Sequence, residues 1–212
     1  ASGNEIKTKS VIISTGATAK YLGLEDEEKY KGSGVSACAT CDGFFYKDQP
    51  VVVVGGGDTA AEEATYLSKI CSKVYLLVRR DEMRASKVMQ ERVFNTPNIE
   101  VMFHHELIGI SGDQVVQKAK VINNQTQETT EIDVEGVFIA IGHKPNTDLF
   151  KGVLDMDESG YLITQNKSTK TNLPGVFAAG DVQDNVYRQA ITAAGTGCMA
   201  ALDAERYVAE NF

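Results

Sequence analysis

Two cysteines, Cys38 and Cys41, are separated by two residues, a spacing that closes a small and readily exchanged disulfide ring. Such a pair holds two electrons as a dithiol and releases them when the disulfide forms. Asp42 directly follows Cys41 and could supply the proton that a leaving thiolate takes up. A carboxylate at this position could equally cap the turn before Gly43. The spacing predicts reversible redox chemistry, with Cys38, Cys41 and Asp42 as candidate catalytic residues.

Zinc binding is the main alternative for the cysteine pair. Structural zinc takes four protein ligands, usually as two pairs. The other cysteines, Cys71 and Cys198, stand alone in the sequence. The histidines lie far from the pair, at His104, His105 and His143. The pattern therefore favours redox chemistry over a metal, and no metal site is predicted.

A glycine-rich turn follows the apolar run Val51–Val54 and precedes a helical pattern over residues 59–69. Its Gly-x-Gly-x-x-Ala spacing lets the backbone turn tightly and approach a dinucleotide pyrophosphate. The N-terminus of the following helix offers free N–H groups to the same phosphates. A glycine turn without a ligand is the alternative. The candidate cofactor-binding residues here are Gly55, Gly57, Asp58, Thr59 and Ala60.

Three arginines, Arg79, Arg80 and Arg84, come at the end of the next predicted strand. An NAD site usually has an acidic residue there, which accepts a hydrogen bond from the ribose 2′-hydroxyl. Guanidinium groups instead pair with a 2′-phosphate. A solvated basic cluster is the alternative, but the arginines favour NADPH over NADH. Because a thiol pair does not readily take a hydride from a nicotinamide, a flavin is implied as the mediator.

The composition excludes several other classes of protein. The chain has 212 residues, 42% of them hydrophobic, and a net charge of -8, which disfavours nucleic acid and anionic membranes as partners. No apolar run approaches the roughly 20 residues of a membrane span. The N-terminus has no signal-peptide pattern, and four cysteines are too few for a secreted disulfide scaffold. We therefore expect a cytoplasmic protein, in which a permanent structural disulfide is disfavoured.

The order of predicted elements indicates an α/β fold. A βαβ unit is expected to run from residue 51 to a second strand over residues 73–78, followed by a helix over residues 85–94. Alternating strands from residue 99 to residue 141 predict a β-meander. A buried strand is predicted over residues 10–14, a strand that leads into a turn over residues 176–181, and a closing helix over residues 190–208. The predicted domains are residues 21–142, interrupting a second domain made of residues 1–20 and 143–212.

Several motifs occur in one order and together resemble the low-molecular-weight bacterial thioredoxin reductases over nearly the whole chain. They are the Cys-Ala-Thr-Cys-Asp-Gly-Phe-Phe-Tyr run at residues 38–46, the glycine turn at 55, Arg-Arg-Asp at 79–81, Gly-His-Lys-Pro-Asn at 142–146, Ala-Gly-Asp at 179–181 and Tyr-Arg-Gln-Ala at 187–190. The resemblance implies a Rossmann-like, three-layer NADPH-binding domain with a β-meander. It also implies the C-terminal remnant of a second, FAD-binding Rossmann-like domain.

The resemblance further implies that NADPH reduces FAD, which reduces the Cys38–Cys41 disulfide, and that the dithiol reduces thioredoxin. Cys41 would be the sulfur nearer the flavin. Members of this family are homodimers whose nucleotide domain rotates, with joints here near Tyr21 and Gly142. The residues that would hold FAD are Gly180 and Asp181 at the ribityl and phosphate region, and Arg188, Gln189 and Ala190 beside the flavin N1 and C2 carbonyl.

Two departures from the family pattern change what we expect of this chain. Val78 stands before Arg79, where relatives often have histidine for the 2′-phosphate. The chain also has one glycine fingerprint, which belongs to NADPH, and none for FAD, so it looks like the C-terminal two-thirds of the enzyme. We expect it to bind NADPH, to bind FAD weakly and to be inactive alone. The alternatives are the reductase component of a peroxide-detoxifying system and a non-catalytic NADPH-binding fragment.

Overall fold

The computed structural model describes residues 3–165 and 167–212. They divide into two compact units, which we call the central unit, Ala19–Gly142, and the outer unit, which joins the residues up to Thr18 to His143–Phe212. The sequence predicts junctions after residues 20 and 142, and here they fall after residues 18 and 142.

Short strands and five helices account for the regular structure of the described residues. The strands are β1 Val11–Ile13, β2 Ala17–Ala19, β3 Val35–Ser36, β4 Pro50–Val54, β5 Lys73–Val78, β6 Ile99–Phe103, β7 His105–Ser111, β8 Lys118–Asn123, β9 Thr129–Asp133, β10 Gly136–Ile139, β11 His143–Pro145 and β12 Val176–Ala178. The helices are α1 Glu25–Tyr30, α2 Ala39–Asp42, α3 Asp58–Leu67, α4 Lys87–Phe94 and α5 Ala190–Asn211. Turns of 3-10 helix cover Gly43–Tyr46, Asp148–Phe150 and Gly180–Val182.

The central unit is built on a five-stranded parallel sheet with the order β3-β10-β4-β5-β6. In β4, Val51 and Val53 pack with α3 and α4 on one face, while Val52 and Val54 pack with α1 and the strands β7 to β9 on the other. Burial of each of these valines contributes about 1.5–3 kcal/mol. The unbroken β-branched run correctly predicts a strand covered on both faces. The Rossmann-like α/β fold is confirmed.

The β-meander is shorter than the sequence predicts. Antiparallel pairing is limited to β7, β8 and β9. The prediction is wrong at both ends, because β6 pairs in parallel with β5 and β10 inserts between β3 and β4. The four residues of β10 are all buried, as a central parallel strand requires.

The outer unit contains the parallel pair β1 and β12, with β2 and β11 paired beside the junctions. The long helix α5 packs through Ala200 and Ala204 against Phe177 of β12. The prediction of a buried first strand holds for Ile13 but is wrong for Val11, which is 43% exposed, and for Ile12, which is 41% exposed. A membrane-spanning helix is not found among the residues that the structure describes.

Candidate redox and nucleotide site

The cysteine pair lies at the start of α2, immediately after β3 leaves the parallel sheet. Cys38 is the N-cap of α2, and it forms a disulfide with Cys41 inside the same helical turn. The Sγ of Cys38 also accepts the main-chain N–H of Cys41 at 3.2 Å. Cys38 is half-buried and Cys41 is exposed, so this disulfide reaches the surface of the central unit.

The segment after the disulfide, Gly43–Tyr46, packs closely against β10 of the parallel sheet. The Tyr46 ring packs over Gly136, where a Cβ atom would lie 2.8 Å from the ring, and meets Phe138 edge-on with centroids 5.4 Å apart. Burial raises the pKa of the Tyr46 phenol, and the nearby charge of Asp42 raises it further. The loop therefore has a fixed apolar base, while the disulfide remains at the surface.

Of the three glycines in the turn after β4, Gly55 and Gly57 have different surroundings. Gly55 has a φ of +152°, and a Cβ atom there would lie 2.4 Å from the carbonyl oxygen of Ala140. Ala60 is fully buried against Gly55, so α3 can approach the strand closely. A Cβ atom on Gly57 would instead meet no atom within 4 Å. Gly55 is therefore required by the fold, whereas Gly57 leaves open space above the turn.

A cavity of about 450 Å³ lies at the carboxyl ends of the parallel strands, within the central unit. This is where ligands bind in open α/β sheets. Its walls bring together most of the sequence-predicted nucleotide residues with others that the sequence did not indicate. The lining residues are Leu22, Val54, Gly55, Gly56, Gly57, Thr59, Leu77, Val78, Arg79, Arg80, Glu82, Arg84, His105, Glu106, Leu107, Ala140, Ile141 and Gly142.

Asp58 and Ala60 do not line this cavity, although both belong to the predicted nucleotide loop. Ala60 supports the packing of α3, and the Asp58 carboxylate accepts the main-chain N–H of Ser86 at 2.8 Å. The main-chain N–H of Arg84 donates to the carbonyl oxygen of Gly56 at 2.6 Å. These bonds attach the arginine-bearing segment directly to the glycine turn.

Three exposed arginines form the polar end of the cavity wall. The Nδ2 of Asn124 donates to the carbonyl oxygen of Arg79 and to Oε1 of Glu106, both at 2.8 Å. His105 and Glu106 were missed by the sequence analysis. Their position after β6 could have indicated them, because the carboxyl ends of parallel strands share one edge of the sheet.

The predicted FAD residues lie together in the outer unit, around the turn after β12 and the start of α5. Gly180 has a φ of +75° and its N–H donates to the Oγ1 of Thr196 at 2.9 Å. Arg188 also has a positive φ, +47°, and Gln189 and Ala190 are the N-cap and first residue of α5. Asp181 is half-buried in the 3-10 turn.

Asp184 holds the segment before α5 in this conformation. Its carboxylate accepts the N–H groups of Val186, Tyr187 and Arg188 at 2.8–3.0 Å. Burial by itself would raise the pKa of Asp184, but these donors outweigh it and the pKa lies below its ordinary value. The segment that holds Arg188 in its unusual backbone conformation therefore donates three N–H hydrogen bonds to a single carboxylate.

The sequence of residues 1–197 matches the family model of the pyridine nucleotide-disulphide oxidoreductases. The chain belongs to this family. In this chain the glycine turn lies at the carboxyl ends of a parallel sheet, where open α/β sheets bind nucleotides, and a disulfide lies in the same compact unit.

Individual members of the family are very similar to this chain. The thioredoxin reductase of Dictyostelium discoideum is 57% identical over 96% of the chain and 64% of its own length. The thioredoxin reductase of Rickettsia conorii is 53% identical, covering 97% and 67% respectively. The solved thioredoxin reductase of Giardia duodenalis has a TM-score of 0.89 and 45% identity, over 94% of this chain and 66% of its own. The resemblance to thioredoxin reductase is confirmed, and the chain spans about two thirds of the length of these relatives.

Membership of the pyridine nucleotide-disulphide oxidoreductases implies the use of a flavin and a pyridine nucleotide. The cavity fits a pyridine nucleotide, because the open space above Gly57 leaves room for phosphates and the arginines supply cationic donors. Arg188 directly precedes Gln189, the N-cap of α5, so a cationic residue and the free N–H groups of a helix N-terminus lie in one segment, which suits an anionic ring atom of a flavin.

Proposed function

We propose that this chain belongs to a flavin-dependent disulfide reductase that passes electrons from NADPH, through FAD and the Cys38–Cys41 pair, to thioredoxin. One observation carries the proposal: the exposed disulfide and the glycine–arginine cavity occur in the same compact unit. The relatives named thioredoxin reductase support thioredoxin as the partner. The proposed assembly is a homodimer in the cytoplasm.

NADPH is proposed as the nucleotide because of the charge at the end of β5. Arg79, Arg80 and Arg84 are exposed on the cavity wall and would pair with a 2′-phosphate. The turn at Gly55 and Gly57 and the N-terminus of α3 would receive the pyrophosphate, since the first backbone N–H groups of a helix have no intrahelical partner. Val78 gives this wall an apolar side chain in place of a further donor.

The thiol half of the reaction belongs to α2. Cys38 and Cys41 would alternate between disulfide and dithiol, with Asp42 holding or delivering a proton at the sulfurs. Cys41 is exposed in the disulfide form. Which sulfur meets the flavin stays a prediction, with Cys41 favoured by the resemblance.

A bound flavin would supply the hydride and electron transfers that a nicotinamide and a thiol pair do not readily make with each other. Gly180 and Asp181 would hold its ribityl and phosphate region. Arg188, Gln189 and Ala190 would bind beside its N1 and C2 carbonyl, where the α5 N-terminus favours negative charge.

The test is NADPH-dependent reduction of thioredoxin by the polypeptide as the cell produces it, supplemented with FAD. Absorbance at 340 nm would follow NADPH, and thiol titration would follow thioredoxin. We expect activity that Cys38→Ser and Cys41→Ser each abolish, with NADPH binding unchanged in both variants. Thioredoxin reduction that persists in both variants would refute the proposal, as would binding of NADH in preference to NADPH.

The chain spans about two thirds of its relatives' length, so FAD binding is tested separately on the 212 residues. We propose that these residues bind NADPH but bind FAD weakly. Isothermal titration with each cofactor measures both affinities. Tight, stoichiometric FAD binding by the 212-residue chain would contradict the second statement without affecting the first.

A further inference from the structure

Ser36, the last residue of β3, joins the two ends of the disulfide loop. Its side chain is buried, with 6% of the residue exposed. The Oγ donates to Oδ2 of Asp42 at 2.6 Å and accepts the main-chain N–H of Cys38 at 3.1 Å. One hydroxyl therefore connects the carboxylate that follows Cys41 to the backbone of Cys38.

We infer that Ser36 is a positioning residue for the disulfide pair, because its hydroxyl holds the Asp42 carboxyl in place in both of its protonation states. The inference deepens the proposed disulfide reductase function and rests on it. The serine acts through Asp42 and is not itself a catalytic residue.

The hydroxyl group suits this role because it has one proton to donate and two lone pairs to accept with. When Asp42 is ionised, the Ser36 hydroxyl donates to the carboxylate, and the distance of 2.6 Å between Oγ and Oδ2 suits this bond. When Asp42 carries a proton, its O–H donates to the Ser36 Oγ. The serine proton then turns towards the carbonyl oxygen of Cys38, which lies 3.5 Å from Oγ. No heavy atom has to move between the two states.

Asp42 passes through two protonation states when it acts as a proton donor during reduction of the disulfide. Two electrons, from NADPH in the proposed function, break the S–S bond of Cys38–Cys41 and leave two sulfur anions. Two protons complete the two thiols. The Asp42 carboxyl supplies one proton and becomes a carboxylate, and water supplies the other. Ser36 then donates to the carboxylate that has formed.

The surroundings of Asp42 keep the hydroxyl and the carboxyl together. Ser36 is paired with Phe138 of β10, which fixes the serine backbone in the parallel sheet. Titratable groups near Asp42 include Tyr46, whose pKa responds to the Asp42 charge, and the two cysteines. Tyr66 of α3 lies near Gly43, the residue after Asp42, with a ring atom 3.3 Å from where a Cβ atom of Gly43 would lie.

The test measures the alkylation rate of each reduced cysteine by iodoacetamide in the 212-residue chain, from pH 5 to pH 10. Peptide mass spectrometry resolves Cys38 from Cys41, and dithiothreitol supplies the electrons. Asp42→Asn removes a negative charge near the thiols. The midpoint pH of the alkylation-rate profile should therefore move about 0.5–1 pH unit towards acid for the more affected cysteine. Ser36→Ala should move it in the same direction by a smaller amount. Ser36→Thr, which keeps the hydroxyl, should resemble the wild type.

The double variant distinguishes positioning from general structural damage. If Ser36 acts through Asp42, Ser36→Ala adds no further shift in the Asp42→Asn background. An equal shift in both backgrounds, or a wild-type profile for Ser36→Ala, would overturn the inference. If Ser36→Ala fails to fold, Ser36→Thr and Ser36→Val replace it as a matched pair that differs by the hydroxyl. The measurement uses no NADPH, flavin or thioredoxin, so its failure is distinct from failure of the proposed function.

Discussion

The carboxylate of Asp58, the first residue of α3, accepts the main-chain N–H of Ser86, the N-cap of α4, at 2.8 Å. Ser86 lies 28 residues further along the chain. Together with the bond from Arg84 to the carbonyl of Gly56, this contact holds the arginine-bearing segment over the glycine turn. The arginine-bearing part of the cavity wall is therefore attached to the glycine turn.

Asp58→Ala should loosen this attachment. We expect the free energy of unfolding to fall by about 1–2 kcal/mol, since a hydrogen bond and a favourable helix-dipole contact are lost. NADPH should bind roughly 3- to 10-fold more weakly because the arginines are less well placed. Urea denaturation and isothermal titration measure the two effects. Glu62→Ala, an exposed acidic residue later in α3, is the matched control and should change neither.

Arg79→Ala should alter the preference between the two nicotinamide nucleotides. Loss of a guanidinium–phosphate pair should weaken NADPH roughly 10- to 100-fold, while NADH should change by less than about threefold. Titration of the 212-residue chain with each nucleotide gives the two ratios. Arg92→Ala on α4, outside the cavity, should leave both affinities unchanged. Equal weakening of both nucleotides by Arg79→Ala would remove the 2′-phosphate argument.

Gly57→Ala and Gly55→Ala should separate binding from folding. A methyl group on Gly57 meets no atom of the chain, so the variant should stay within about 1 kcal/mol of wild-type stability. The same methyl group enters the proposed phosphate space and should weaken NADPH at least about tenfold. Gly55→Ala places a Cβ atom 2.4 Å from the Ala140 oxygen and should cost about 1–3 kcal/mol or more.

The measurements are thermal unfolding and nucleotide titration on both glycine variants. Normal NADPH affinity in a folded Gly57→Ala chain would show that the phosphates do not approach this turn. Normal stability of Gly55→Ala would show that the backbone at this turn relaxes.

The two cysteines outside the pair should differ in reactivity. Burial, reinforced by the charge of Asp48, raises the pKa of the Cys71 thiol to about 11, whereas Cys198 is exposed on α5. At pH 8 about one Cys71 thiol in a thousand is ionised, so iodoacetamide should modify Cys198 and leave Cys71 intact. Reaction at Cys71 should rise only as the pH approaches 11. Peptide mass spectrometry after timed alkylation checks this, and prompt labelling of Cys71 at pH 8 in folded protein would contradict it.

Local sequence patterns were sufficient to predict the strands of the βαβ part of the central unit. The β-branched run at Val51–Val54 predicts β4, and the limits predicted for β5 are those observed. The prediction fails for β10, whose apolar residues resemble one more strand of a meander. Its position between β3 and β4 depends on pairing with strands far away in the sequence.

The candidate site also contains some residues that the sequence predicts and others that only the structure shows. The cavity wall includes Gly55, Gly57, Thr59 and the three arginines that the sequence indicates, but also His105 and Glu106, which it does not. Asp58 stays a predicted cofactor-binding residue, and the structure shows that its carboxylate accepts the main-chain N–H of Ser86. The local sequence of a carboxylate beside a glycine turn is the same whether the carboxylate binds a cofactor or accepts a main-chain N–H from a distant segment.

The amino-acid sequence alone determined the candidate redox and nucleotide-binding residues. The two-residue spacing of the cysteines and the glycine turn after an apolar strand are each recognisable within a few neighbouring positions. Only the tertiary structure decided which partners those residues meet. The contacts of Asp58 with Ser86 and of Ser36 with Asp42 depend on how strands and helices are brought together. The order of the parallel strands sets these distances, and that order comes from burying apolar faces against each other across the whole central unit.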